Sequence, residues 1–483
     1  MNILLIVIDS LWAEHLSCYG YPRKTSPNLD NLAKDGILFK KCFSEFPYTY
    51  PAFTSIITGR FGINTGIVAN TWYKINQNDI VLDDSIPTMA EILRAADYTT
   101  AAVDNMMNFA SHPKWFVRGF QFYINVKATP YHPEIDLFHT TYRRDIVETT
   151  DMVTADEVNY RLMNWVKEHS KEKFFLFVHY WDPHGFNPKI HGKGPYEPKE
   201  FKDKFSGDEG LEYYYTSSGE RYIKGWGLAS HLTPERMERF NLYDCTIAYL
   251  DDRIGKVFEQ LKDLGLYDDT LIIVTADHGT WEIPLGRKGF PHLSSARLHV
   301  PLIMKLPKQE NKGRIVDAFV QPIDILPTIL HLLGYASSFT CRDVQFFFGE
   351  EFSVFEGMDG ISLLPLIRGE KTDHRKEVYG TVVYSHCSRC IMTKEWKLIT
   401  HFVGGRKPFL RSDYRLPPPE LYNLTEDPEE LHNVAEDHPE VVKKLKMRLD
   451  SWVEENVKKS GRTDPMLVPK LVDWGGPGKP VWT

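Results

Sequence analysis

The sequence predicts an α/β protein built on a mixed, mostly parallel sheet flanked by helices, with a smaller α+β unit towards its C-terminal end. Three observations carry this. Apolar runs bounded by turn residues recur at Ile3 to Ile8, Phe174 to Val178 and Leu271 to Thr275, with long amphipathic stretches between them. That is the order expected of strands buried on both faces and joined by crossover helices. The stretch Pro234 to Leu264 spaces Phe240, Tyr243, Ile247, Leu250, Ile254, Val257 and Leu261 by three or four residues, which marks a long helix feeding the strand at Leu271. After about Gly369 the pattern shortens to strand-like runs at Val378 to Val383, Cys390 to Thr393 and Lys397 to His401, followed by an amphipathic helix from Pro439 to about Asn456.

These elements divide the chain into a larger α/β unit over 1–369 and a smaller C-terminal α+β unit over 370–483. Within the first, Lys189 to His231 is rich in Gly, Tyr and charge, follows neither period, and reads as an insertion over one end of the sheet. Its Tyr213, Tyr214, Tyr215, Tyr222 and Trp226 are expected to cover the sheet end or a subunit contact rather than to line a pocket. Pro417-Pro418-Pro419 reads as a stiff link. The opening run MNILLIVIDS lacks a basic start and a small-residue cleavage site, and is far shorter than the ~20 residues of a membrane span. It is expected to be a buried strand of a cytoplasmic protein with no membrane span.

The composition, 42% hydrophobic and 25% charged over 483 residues, excludes disorder as the default and leaves room for both units. A net charge of -8 argues against a nucleic-acid polymer as partner. Six cysteines are too few for a disulfide framework. Cys387 and Cys390 form a CxxC with no second CxxC to complete four ligands, so they read as two ordinary thiols in or beside a strand.

The chemistry gathers at strand ends. Asp9 directly follows the first apolar strand, and Asp277-His278-Gly279 follows the strand at Leu271 to Thr275. In open parallel sheets the ligand crevice lies outside the carboxyl ends of the strands. Two carboxylates and an imidazole converging there suit a divalent ion, although an Asp after a strand often only caps the next helix. The segment Thr49-Tyr50-Pro51-Ala52-Phe53-Thr54-Ser55-Ile56-Ile57-Thr58-Gly59-Arg60 reads as a helix with Pro51 in its first turn. Thr49 then lies just before the helix start, facing unpaired N–H groups and the positive end of the dipole.

That segment resembles the sulfatase motif C-x-P-S-R-x-x-x-x-T-G-R, with Thr49 at the cysteine position and Pro51, Thr58, Gly59 and Arg60 retained. Further sulfatase-like stretches follow in order: Thr25 to Ala33, Tyr180-Trp181-Asp182-Pro183-His184, Asp244 to Gly255, Asp269 to Gly279 and Val300 to Ile303, closing with Glu420 to Leu424 and Asp427-Pro428-Glu429-Glu430. The resemblance is to the sulfatase family of the alkaline phosphatase superfamily, and it implies the alkaline-phosphatase/sulfatase-like version of the α/β fold. The sequence also departs from that pattern. In sulfatases the motif cysteine or serine becomes formylglycine, which Thr49 cannot; the motif arginine is Phe53; the second aspartate of the D-D pair is Ser10; and the G-K-W-H segment aligns with Asp104-Asn105-Met106-Met107.

What remains resembles phosphonate monoester hydrolases and related phosphodiesterases. The resemblance implies one divalent ion, Mn or Zn first with Ca or Mg as alternatives, held by Asp9, Thr49, Asp277 and His278, with no formylglycine. It implies Thr49 as nucleophile, His184 and Lys288 at the bridging and non-bridging oxygens, and Asn70 and Asn105 on the substrate side. The substrate expected is a small anionic ester, either a phosphodiester or a phosphonate monoester. Sulfate-ester hydrolysis, transfer of a phospho-alcohol head group, and a non-catalytic metal-binding scaffold are the competing readings. A homo-oligomer is compatible with all of them. His179 is expected to end its strand as an ordinary hydrogen-bonded residue.

Overall fold

The computed structural model describes residues 1–70, 81–105, 114–125, 154–186, 201, 204–280, 286, 289, 291–335, 357–383, 386–403 and 415–467. In chain order its strands up to residue 320 are β1 (Asn2–Ile8), β2 (Ile37–Phe43), β3 (Thr99–Asp104), β4 (Phe122–Asn125), β5 (Phe174–Tyr180), β6 (Tyr213–Tyr215), β7 (Arg221–Ile223), β8 (Gly227–Leu228), β9 (Thr270–Ala276), β10 (His299–Lys305) and β11 (Arg314–Val320). Eight of them form the central sheet in the order β11-β2-β10-β9-β1-β5-β3-β4. All point the same way except β10, which is antiparallel to both β2 and β9. The mixed, mostly parallel sheet expected from the apolar runs is therefore present.

Helices cover the sheet. The first three used below are α1 (Pro27–Asp35), α2 (Thr49–Thr58) and α3 (Ala155–Glu168). The long amphipathic stretch is α4 (Pro234–Asp263), started by Pro234 in its first turn and by the Thr233 hydroxyl accepting from the Arg236 N–H. Because both faces are covered, Ile3 to Ile8 and Leu271 to Val274 are at most 1% exposed, which is why these strands read as unbroken apolar runs rather than as alternation.

Beyond residue 369 an antiparallel sheet of β12 (Val378–Val383), β13 (Cys387–Met392), β14 (Trp396–Phe402) and β15 (Glu420–Asn423) packs under the helix α5 (Pro439–Ser460). Its apolar side is shared with the larger part of the chain, since Phe61, Ile63 and Ile323 cluster with Tyr379, Leu398, Leu445 and Trp452. Cys387 and Cys390 both lie in β13, three residues apart and therefore on opposite faces. They lie in separate apolar clusters. In the insertion, the described residues form the small sheet β6-β7-β8, and Tyr222 and Trp226 are buried while Tyr215 is exposed. No helix of the described residues is long and apolar enough to cross a membrane.

The turn from β2 into α2 buries a carboxyl group. Glu45 Oε2 accepts from the Gly62 N–H at 2.9 Å and the Ser55 hydroxyl at 3.4 Å, and its carbonyl accepts from the Thr381 N–H at 2.7 Å. Burial, reinforced by the charge of Asp359, pushes this carboxyl up to about 8. A raised carboxyl contributes stability that is fully present below its unfolded value of 4.5 and is lost as pH rises through about 8. Within that window the loss runs to about 1.4 kcal/mol per pH unit. Glu45→Gln should therefore gain on the wild type in melting temperature between pH 5 and pH 8; parallel melting curves over that range would show that Glu45 is not protonated in the fold.

Candidate active site

The site follows from strand register. In the parallel pairing of β1 with β9, Ile8 lies opposite Ala276, so the next residues, Asp9 and Asp277, emerge side by side at the carboxyl rim. Both are fully buried, as is His278. One donor atom from each of Asp9, Asp277 and His278 lies within 4.8 Å of the others. Neither aspartate spends its carboxylate on capping a helix: Asp277 Oδ1 accepts from the N–H groups of His278 at 2.7 Å and Ser10 at 3.2 Å.

Ser10, at the second position of the D-D pair, joins the two carboxylates. Its hydroxyl donates to Asp9 Oδ1 at 2.8 Å, and its φ of 59° is a left-handed conformation uncommon for a side chain with Cβ. Tyr243 of α4 holds that turn by donating its hydroxyl to the Ser10 carbonyl at 2.7 Å. Gly279 is required for close approach, since a Cβ there would come within 2.0 Å of the Ala296 carbonyl oxygen.

These donors suit a divalent ion. Oδ2 of Asp9 and Oδ2 of Asp277 accept no hydrogen bond from the described residues, an arrangement that costs free energy unless a cation or proton is shared between them. His278 Nδ1 faces the Gly279 carbonyl at 2.8 Å and so carries the hydrogen. Nε2 faces the two carboxylates, 3.7 Å from Asp9 Oδ1 and 3.4 Å from Asp277 Oδ2. The two carboxyls are driven apart in acidity. Burial raises Asp9, yet the fields of His184, His179 and His278 outweigh it and hold this group well below the usual range. Burial and then the charge of Asp9 push Asp277 up to about 7.

Thr49 is buried and is the first residue of α2. The helix thus begins at Thr49 itself rather than just after it, with Tyr48 before it and Pro51 in its first turn as expected. Thr49 and Phe53 are four residues apart and share one face of the helix. The Phe53 ring meets the His179 ring edge-on, with centroids 4.9 Å apart, so this face of α2 lies against the end of β5. The Asn70 side-chain oxygen accepts from the Tyr50 N–H at 3.0 Å, holding the first turn of α2 beside Thr49.

His184 sits half-buried in the 3-10 turn Asp182–Phe186, its ring 4.9 Å from that of Trp181, and its charge is the strongest of those that lower Asp9. Asp182 accepts from the Ala155 N–H at 3.0 Å at the start of α3, and burial pushes it up to about 7. Asn105 is buried at the end of β3. Lys288 lies outside the described residues.

His179 has more neighbours of consequence than a strand-end histidine needs. It pairs in register with Asp104 of β3, Nδ1 meets Asp104 Oδ1 at 2.8 Å, and Nε2 is 3.8 Å from Asp9 Oδ2. Burial alone would lower this imidazole, but Asp104 and Asp9 raise it to about 9. The signal was available only as a His followed by Asp182 and His184; its partner Asp104 is 75 residues away.

A family model described as Sulfatase matches residues 1–335. The multifunctional alkaline phosphatase superfamily protein PehA of Trinickia caryophylli is 25% identical over 88% of this chain and 91% of its own. An arylsulfatase of Clostridium perfringens is 22% identical over 94% of this chain and 96% of its own. Among solved structures, the phosphonate monoester hydrolase of Agrobacterium radiobacter superposes with a TM-score of 0.62 at 22% identity, covering 94% of this chain and 96% of that one. This last likeness is one of fold.

With Asp277 protonated up to about 7, a divalent ion binding there competes with a proton. Mn affinity measured by calorimetry should rise by about tenfold per pH unit from pH 5 towards pH 7 and then flatten, with a proton released below pH 7. Asp9→Asn and Asp277→Asn should each lose the ion. Affinity independent of pH, or retained in both variants, would place the ion elsewhere.

Proposed function

The chain belongs to the sulfatase family, within the alkaline phosphatase superfamily, and is an ester-hydrolysing enzyme; from that premise we propose that it hydrolyses phosphodiesters or phosphonate monoesters with Thr49 as covalent nucleophile. One observation carries the reading. A buried Asp9-Asp277-His278 donor set stands at the strand rim, and the helix that starts with Thr49 packs against that same rim through Phe53 and His179. The residue at the nucleophile position keeps a hydroxyl at a helix N-terminus, where the dipole favours an alkoxide and an incoming anion.

A divalent ion held by Asp9, Asp277 and His278, with Thr49 beside it, would supply Lewis-acid stabilisation of the ester oxygens and favour ionisation of a nearby hydroxyl. Thr49 Oγ, its proton lost to solvent, attacks phosphorus in line with the leaving group, forming a threonine ester as the bond to the leaving oxygen breaks. His184 gives that oxygen its proton, and Lys288 offsets charge on the non-bridging oxygens. Water then hydrolyses the threonine ester. Asn70 fixes the first turn of α2 through the Tyr50 N–H, a positioning role for the nucleophile.

Charge favours the diester or phosphonate over the monoester. Such esters carry one negative charge, which one divalent ion and one lysine balance, whereas a monoester dianion calls for more. Sulfate-ester hydrolysis is the second reading, supported by the arylsulfatase likeness. It is weakened by Thr49, which cannot become formylglycine, and by Phe53 and Met107 at the arginine and histidine positions of the sulfatase pattern.

A panel of chromogenic sulfate, phosphate monoester, phosphodiester and phosphonate esters, assayed with and without Mn or Zn, separates these readings. The diester and phosphonate should be cleaved fastest and only with metal. Thr49→Ala should lower that activity by several decades, since groups acting as a unit fail together, while a lost helix-start contact costs only about 0.5 to 2 kcal/mol of stability. Thr49→Ser should keep measurable turnover. Aryl sulfate cleaved faster than diester would overturn the charge argument, and full diesterase activity in Thr49→Ala would remove Thr49 from the chemistry.

A further inference from the structure

The edge of the site opposite His278 sets against Asp9 two residues, Asp104 and His179, that the reaction as written does not use. Asp104, His179 and Asp9 come from three adjacent strands. Asp104 lies opposite His179, and His179 lies opposite Val7, two residues before Asp9. Side chains two apart on a strand share a face, so all three project to one side of the sheet, the side on which Phe53 of α2 rests. Tyr123 of β4 extends the line by donating its hydroxyl to Asp104 Oδ2 at 2.8 Å. Asp104 Oδ1 takes His179 Nδ1 at 2.8 Å, which fixes the ring plane and aims Nε2 at Asp9 Oδ2, 3.8 Å away. That oxygen of Asp9 is buried and accepts no hydrogen bond from the described residues. Phe53 occupies the position of the motif arginine, so α2 itself offers Asp9 no polar group from there.

We propose that His179, anchored by Asp104 and Tyr123 and covered by Phe53, is a positioning residue that orients the Asp9 carboxylate for its ion. This rests on the metal site argued above. Carboxylates that bind ions are commonly held by an outer partner, and loss of that partner typically costs about 10 to 100-fold in metal affinity or activity. Asp9 lies between two histidines: Oδ1 is 3.7 Å from His278 Nε2 and Oδ2 is 3.8 Å from His179 Nε2.

Calorimetric Mn titration of the metal-free protein tests the assignment, with melting temperature as a check on folding. His179→Asn keeps an amide near Nδ1 for Asp104 but loses the group facing Asp9, whereas the longer side chain of His179→Gln reaches the Nε2 position. Mn affinity should fall about 10 to 100-fold in His179→Asn and Asp104→Asn, and stay within about threefold of wild type in His179→Gln. Tyr123→Phe, which removes a single hydroxyl, should show a smaller loss in the same direction and serves if the other variants do not fold. Equal affinities in His179→Asn and wild type, or rescue by Asn rather than Gln, would reduce His179 to a structural partner of Asp104. Two ions in the saturated wild type and one in His179→Asn would make it a ligand rather than a support. A wild type that binds no ion, or an ion kept in Asp9→Asn, would instead remove the metal reading and this proposal with it.

Discussion

Everything at the rim depends on the register of β1 between its two parallel neighbours. Ile8 lies opposite Ala276 on one side and Tyr180 on the other, so Asp9 emerges beside Asp277 and close to His179. A one-residue slip would turn each of these side chains to the other face. The apolar pattern does not forbid that slip, because β1 and β9 are buried on both faces and either register buries the same kind of side chain. Hydrogen bonds at both ends of the strands do. At the start, the Asn2 N–H donates to the Asp269 carbonyl at 3.0 Å and the Phe174 N–H to Asn2 Oδ1 at 3.3 Å. At the rim, the Asp9 N–H donates to the Tyr180 carbonyl at 2.9 Å and the Ser10 N–H to Asp277 Oδ1 at 3.2 Å. Placement of the candidate metal-binding donors and strand alignment are thus set by the same bonds.

The rim also has to balance charge in a dry place. Asp9, Asp104 and Asp277 are all fully buried there, and buried carboxylates are tolerated only when paired, protonated or bound to a cation. All three devices are at hand: His179 stands between Asp104 and Asp9, Asp277 is pushed up to about 7, and the free oxygens of Asp9 and Asp277 face a shared space with His278. Against the pattern it resembles, this chain replaces one acid by Ser10 and one base by Phe53. One charge of each sign leaves, and the balance of the rim survives while its wall against α2 becomes apolar. The missing lysine and histidine of the G-K-W-H segment are not offset in that way among the described residues. A less positive site supports the proposed preference for a singly charged ester.

Much of the fold was legible because its strong signals are local. Val378 to Val383 was read with its observed bounds, the long helix from Pro234 to within a residue, and β1, β5 and β9 to within two residues at either end. The strand expected at Cys390 instead starts at Cys387, since Ser388 and Arg389 interrupt the apolar run. The site was legible where a residue's place follows from a strand end, as for Asp9, Asp277 and His278. It was not legible where a partner comes from a remote strand. Nothing near His179 in sequence announces Asp104, and nothing near Asn70 shows that its oxygen serves the Tyr50 N–H, because both pairings exist only once β3 lies beside β5 and the chain after α2 folds back on its first turn.

The family resemblance was strong for a reason that also limits what it says about chemistry. Many of the matching residues hold the scaffold. Asp251 of α4 accepts from the N–H groups of Asn28 and Leu29, and from the Asn28 side chain, each at 2.9 Å, so the matching Ser26-Pro27-Asn28-Leu29 segment is tied across to the Asp244 to Gly255 segment at the start of α1. Asp244 gathers His15 at 2.7 Å, Tyr21 at 2.6 Å and Arg23 at 2.9 Å into one buried network. Asp427 accepts from the N–H groups of Leu431 and His432 and closes the turn after β15. These contacts fix how α1, α4 and the turn after β15 are held. The departures fall elsewhere: Ser10, Thr49, Phe53 and the Asp104-Asn105 pair all stand at the strand rim or on the helix that covers it. Scaffold residues therefore carry much of the membership, and the departures gather at the rim where the reaction is proposed.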